Sequence, residues 1–139
     1  ELLTVRIKLL FRKDEAKKFS SMTIFLMGYF ITILLFEIEI AIAALTFLIF
    51  GDIFSKIFGL SFGRHKLFKK SVEGLLAYIG CALICGYIIS TVLEISLILL
   101  IIGGITAALT EVSSLRINDN FSVPIISGAV MTAIEFFTL

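Results

Sequence analysis

The chain has no tryptophan, one proline, two cysteines and one histidine in 139 residues. Each shortage excludes something. With only Pro124, and with no Ser- or Gly-rich tract, nothing reads as a linker, so a single domain over residues 1–139 is expected. Cys81 and Cys85 lie four apart inside an apolar run, and a zinc site would need further Cys or His ligands nearby. Core packing is the expectation for both. Twelve basic and eleven acidic residues leave a net charge of +1, which names no partner, and no nucleic acid is expected. The chain begins at Glu1 without a Met, and its first stretch has too short an apolar core for a signal peptide, so a piece of a longer protein is expected.

What is abundant is apolar surface. Hydrophobic residues make up 59% of the chain and mean hydropathy is +1.11, against about 45–50% apolar usage in soluble domains. The expected fold is all-α, a polytopic membrane helical bundle. A hydrocarbon core of about 30 Å needs about 20 apolar helical residues, and five segments approach that length: 22 to 36, 40 to 58, 74 to 92, 95 to 112 and 122 to 138. Glu37 and Glu39 mark a tight turn after the first segment, and Glu94 marks another after the third. Gly103 and Gly104 sit mid-span, where small residues let helices approach.

Charge along the chain sets the orientation. Arg6, Lys8, Arg12, Lys13, Lys17 and Lys18 precede the first segment; Lys56, Arg64, Lys66, Lys69 and Lys70 close the second; Arg116 follows the fourth. All basic residues thus fall on one side of a five-span arrangement, leaving Glu37, Glu39, Glu94 and Glu135 opposite. Cytoplasmic loops collect Lys and Arg, so a cytoplasmic N-terminus is expected.

The densest polar stretch is GDIFSKIFGLSFGRHKLFKKSVEG, residues 51–74. Asp52 and Lys56 are one turn apart, a spacing that fits a neutralising ion pair. It also fits a functional carboxylate, since Mg²⁺ is typically held by one or two carboxylates plus substrate phosphates and water. Gly59 and Gly63 permit backbone turns, and Arg64, Lys66, Lys69 and Lys70 concentrate positive charge, for which phosphate is the natural guest. The same cations could grip anionic headgroups, and the order of a Walker A loop is absent. Ser71 is placed to cap the third helix, and Glu73, in its first turn, suits either the helix dipole or a metal. His65 reads as a loop residue.

A second cluster, EVSSLRINDNFSVP, occupies residues 111–124. Asp119 or Asn120 is placed to cap the last helix, with Pro124 in its first turn, and Glu111 ends the fourth. Asp52, the basic stretch, Glu111 and Asp119 fall at one interface. Carboxylates facing cations there would suit a metal-bound nucleotide and a phosphoryl group in transfer.

Three blocks resemble the dolichol kinase, phytol kinase and CTP-dependent diacylglycerol kinase family, distantly related to phosphatidate cytidylyltransferases. RKDEAKKFSSMTIFLMGY is similar to an R-x-x-E stretch before a Gly-containing span, here Arg12, Glu15 and Gly28. Residues 51–74 resemble the block G-D-x-x-A-x-x-x-G-x-x-F-G-[KR] followed by K-[KST]-x-E-G, with Ser55 in place of Ala. Residues 111–124 resemble E-x(7)-D-N-[LF]-[ST]-[VI]-P. The family's N-terminal basic-His segment and leading helices have no counterpart here, and the cytidylyltransferase hallmark of paired Gly after a His with a terminal Asp-Arg is also absent.

The resemblance implies transfer of a γ-phosphoryl group from CTP, with Mg²⁺, to the hydroxyl of a membrane lipid. It implies catalytic roles for Asp52, Glu111 and Asp119, and metal binding by Asp52, Glu73 and Asp119. Lys56, Gly59, Gly63, Arg64, Lys69, Lys70 and Asn120 would then hold the nucleotide. A CDP-lipid synthase, a small transporter and a structural bundle are the other readings, and a homo-oligomer is one way for five short helices to enclose a polar site.

Overall fold

The computed structural model describes residues 13–68, 70–113 and 118–138, and these form an all-α protein. Five helices run in chain order: α1 (Lys13–Leu35), α2 (Ile38–Phe62), α3 (Val72–Leu93), α4 (Leu97–Val112) and α5 (Asp119–Thr138). Between α2 and α3 lies a small antiparallel pairing of β1 (Lys66–Leu67) with β2 (Lys70–Ser71). The Val72 N–H closes it by donating to the His65 carbonyl at 3.0 Å.

Among the described residues three stretches are long and apolar enough to cross a membrane, Ile38–Phe62, Val72–Leu93 and Asp119–Phe137, the constitution of an integral membrane protein. Met22–Leu35 and Leu97–Val112 are apolar but shorter. At 1.5 Å per residue the 16-residue α4 reaches only about 24 Å.

Short links make successive helices antiparallel. Glu94 ends α3 in the left-handed region with φ 56°, and only two residues separate α1 from α2. The end of α2, the starts of α3 and α5 and the end of α4 consequently share one end of the bundle. Glu39, Glu94 and Glu135 line a cavity of about 310 Å³ at the other.

Apolar faces of four helices make the core: Ala44, Phe47 and Leu48 of α2, Tyr78 and Ala82 of α3, Leu100, Ala107 and Ala108 of α4, Val123 and Met131 of α5. Small side chains set the helix spacing. A methyl group added at Gly103 would overlap Met131, and one at Gly104 would stand 3.0 Å from the Ala82 Cβ, so this glycine pair does admit neighbouring helices. Cys81 is buried and Cys85 partly so, both as free thiols.

Several boundaries differ from expectation. α2 continues through Phe62, so Gly59 is a helix-interior residue and not a turn; a Cβ there would meet the Ser71 hydroxyl at 3.0 Å. Gly63 caps α2 at φ −62°, a value open to any residue. Its requirement is space, because a side chain would strike the Gly59 carbonyl and Ser71. Neither glycine supplies the special backbone turn expected of it.

The start of α5 is set by Asn118, not by Asp119 or Asn120. The Asn118 Oδ1 accepts from the Asn120 N–H at 3.0 Å, and its carbonyl accepts from the Phe121 and Ser122 N–H groups. Pro124 therefore lies beyond the first turn, inside the helix.

Candidate functional site

Ser71 positions the site's main cation. Its hydroxyl accepts from the Gly74 N–H at 3.1 Å, capping α3, and the β1–β2 pairing holds Lys70 immediately before that cap. The Lys70 ammonium reaches across the bundle to two carboxylates. It pairs with Glu111 Oε1 at the end of α4 and with Asp119 Oδ2 at the start of α5, the latter at 3.2 Å.

Burial makes this grouping consequential. Glu111 is 1% exposed, and an ionised carboxylate withdrawn from water needs a cation and hydrogen bonds to persist. Lys70 supplies the charge, and Ser55 of α2 donates its hydroxyl to the same oxygen at 3.3 Å. The other oxygen, Oε2, is buried without a hydrogen-bond partner. Helix α2 and the β pairing thus both reach the one carboxylate at the end of α4, and Lys70 links it to α5. Asp119 is more open, and Asp52 lies near enough for its charge to act on Glu111 without a hydrogen bond between them.

These groups border a cavity of about 490 Å³ lined by Ser55, Lys56, Gly59, Lys66, Lys70 and Glu111, with Gly63 and Ser71 at its wall. Three lysines face one space, two of them paired with carboxylates, Lys56 with Asp52 and Lys70 with Glu111 and Asp119. An anion could enter by exchanging for those carboxylates. A larger groove, about 830 Å³, runs on another side of α2 and α3 along Phe50, Phe54, Phe58 and Phe62. Glu73 is the only charged side chain in its lining, which is otherwise mostly hydrocarbon with Cys81 and Cys85 among it.

Other candidate residues stand apart. Asp52 pairs with Lys56 at 2.5 Å along α2, with Lys56 largely exposed. Glu73 does not join the acids at Lys70. It faces His65, whose Nδ1 lies 2.8 Å from its Oε1 and whose backbone N–H donates to it at 3.3 Å. No partner of His65 was visible in the sequence, because the two residues meet only through the β pairing. Asp52, Glu73 and Asp119 are therefore not gathered as a metal triad, and among the described residues no three His, Cys, Asp or Glu side chains form a metal-binding group.

Arg64 is exposed and outside the cavity lining. Asn120 is half-buried, with its carbonyl against Gly28 of α1, where a Cβ would come within 2.7 Å. Lys69 lies outside the described residues. Sequence reasoning missed Ser55 as a partner of Glu111, for which its place one turn after Gly51 on a face of small residues was the available signal.

No family model matches the chain, and no solved structure matches it. It is similar to an uncharacterized protein of Rickettsia prowazekii (strain Madrid E), with 30% identity over 110 residues, covering 76% of this chain and 54% of that protein. The chain thus spans about half the length of the relative it matches.

Proposed function

We propose that the protein is a lipid kinase that transfers the γ-phosphoryl group of CTP to the hydroxyl of a membrane lipid alcohol, such as a polyprenol or dolichol, phytol or diacylglycerol. The observation that carries this reading is Lys70 held between Glu111 and Asp119, residues 41 and 49 positions away, at a cavity shared with Lys56 and Lys66. The likeness of residues 51–74 and 111–124 to the CTP-dependent lipid kinases adds the substrate class.

Five spans with a cytoplasmic N-terminus are the topology of this reading, supported by the gathering of basic residues toward one end. The cavity then opens to cytoplasmic nucleotide while its walls enter the membrane.

Lys70, Lys56 and Lys66 neutralise the triphosphate, and their charge is strengthened where water is partly excluded. Glu111 and Asp119 fit Mg²⁺. Glu111 keeps one buried oxygen without a partner, an ammonium already occupies the space between the two acids, and one or two carboxylates completed by phosphates and water are what this ion ordinarily takes. When bound, the ion would offset charge on the phosphates. Lys70 would be released from the acids toward the phosphates, and Asp52 would keep the mouth of the cavity selective for a metal-bound nucleotide.

The test is a screen of γ-labelled CTP and ATP against lipid alcohols with the full-length protein, followed by extraction. Label in the lipid fraction is expected with CTP. Pyrophosphate release with formation of a CDP-lipid would replace the kinase by a cytidylyltransferase, and no nucleotide turnover with any lipid would remove the enzyme reading.

A further inference from the structure

The facing surfaces of α2 and α3 leave the apolar groove open instead of packing it shut. On α2 a phenylalanine recurs at every fourth residue, Phe50, Phe54, Phe58 and Phe62, the one-face spacing of a helix. Neighbouring rings pack together, with centroids 6.3 Å apart for Phe54 and Phe58 and 5.8 Å apart for Phe58 and Phe62. The opposing wall on α3 includes the small residues Ala77, Gly80 and Cys81. A Cβ placed on Gly80 would meet nothing within 4 Å. The hollow of about 830 Å³ falls within the roughly 300–1,000 Å³ of small-ligand sites.

Its two ends differ. Because α2 and α3 are antiparallel, Phe62 and Glu73 stand at the end of the bundle that carries the lysine cavity, and Phe50 and Cys85 stand at the far end. From Phe50 to Phe62 the helix rises about 18 Å, a little more than half of a hydrocarbon core of about 30 Å. An alkyl chain lying in the groove would therefore stay within about one leaflet.

At the near end Glu73 is the only charged lining residue. His65 fixes it in place, with its backbone N–H donating at 3.3 Å and its Nδ1 at 2.8 Å. The Glu73 side chain nevertheless stays 25% exposed. A carboxylate oxygen open in this way accepts a hydrogen bond from a hydroxyl and repels a phosphate. Ser71 in the wall of the lysine cavity and Glu73 in the lining of the groove are separated by one residue, so the polar end of the groove lies beside that cavity.

We propose that this groove binds the chain of the lipid alcohol, with Glu73 accepting a hydrogen bond from its hydroxyl. This rests on the lipid-kinase reading and gives the acceptor a place beside the nucleotide cavity. The carboxylate also selects, because a lipid ending in a phosphate would meet like charge there. A second copy of the chain is a poorer occupant. Two copies in one membrane orientation would pair these faces about an axis along the membrane normal and bring their Glu73 carboxylates level, like charge against like.

The test is binding of tritiated hexadecan-1-ol to the full-length protein in detergent micelles, competed by unlabelled hexadecan-1-ol, hexadecane and hexadecyl phosphate. Saturable binding is expected, with the alkane and the phosphate competing about tenfold more weakly than the alcohol. Gly80→Leu fills the hollow from a position that has open space and gains a better helix former. It is expected to weaken alcohol binding about tenfold or more while thermal unfolding is retained. Glu73→Gln keeps an oxygen for the His65 N–H but removes the charge, and it is expected to lose the discrimination against hexadecyl phosphate.

Non-saturable uptake, equal competition by hexadecane, or undiminished binding in Gly80→Leu would overturn the proposal and leave label transfer from CTP untouched. Unchanged discrimination in Glu73→Gln would remove Glu73 from the site and overturn it equally. A dimer that Gly80→Leu converts to a monomer, with alcohol binding unaltered, would give the groove to a second copy instead. Saturable, alcohol-specific binding in a protein that turns over no nucleotide would keep this site and remove the kinase reading.

Discussion

Two charge groupings sit around the end of α2, and they differ in every respect that decides what an ion pair does. Asp52 and Lys56 are neighbours on one helix, and Lys56 is 67% exposed. Their meeting is a property of four residues of sequence, and water screens it, so such a pair contributes about 0.3–0.5 kcal/mol. Lys70, Glu111 and Asp119 come from three separate segments, and the Glu111 side chain is 2% exposed. That grouping exists only when the bundle is assembled. The difference teaches that the local pair is optional to the fold, whereas the distant one couples the fold to the chemistry proposed for it.

The comparison is broken most severely by Lys70→Met. It strands Glu111 in the interior with no cation, a change that costs about 3–5 kcal/mol when a buried pair loses one member. Denaturation in micelles is expected to show that loss, and the double variant Lys70→Met/Glu111→Leu is expected to recover most of it, because removing both charges ends the desolvation cost. Equal destabilisation in the single and double variants would mean that the pairing is incidental.

Glu111→Gln is gentler on the fold and is expected to act on turnover. The amide keeps a partner for the Ser55 hydroxyl but loses the negative charge that would hold Mg²⁺, so the rate of label transfer should fall about 100-fold or more. Asp52→Asn sharpens the comparison from the other side. Its stability is expected to change by less than about 1 kcal/mol, while turnover falls; a loss of function that merely tracks unfolding would reduce Asp52 to half of a surface ion pair. Lys56→Gln is the smallest change: stability within about 0.5 kcal/mol and a severalfold rise in KM for the nucleotide, read from initial rates at varied CTP.

The same contrast explains what was legible beforehand. Helices α2, α3 and α5 follow from long apolar runs, and the Gly103–Gly104 contacts follow from small residues at mid-helix, because both are encoded locally. Ser71 as a cap was visible for the same reason. Glu73 stands in the first turn of α3 as expected, but its contact with His65 was not legible, because it depends on the β pairing of Lys66–Leu67 with Lys70–Ser71 and segments of two residues leave no periodic signal. Gly59 was misread because a glycine inside a helix and a glycine in a loop look alike until the neighbouring helix is in place. The length of α2 decided it, and an apolar run that extends to Phe62 through Lys56 did not announce where the helix stops. Asn118 was overlooked in favour of Asp119 and Asn120 because any of three adjacent capping residues satisfies the same rule, and only the backbone geometry selects one.

The direct test of the central claim is the affinity for Mg²⁺–CTP, measured by calorimetric titration of the micelle-embedded protein and of Asp119→Asn, a position partly exposed and so replaceable without unfolding the bundle. Saturable binding that weakens about tenfold or more in the variant, with thermal stability retained, is the predicted result. Absence of saturable binding, or equal affinity in both proteins, would contradict the account.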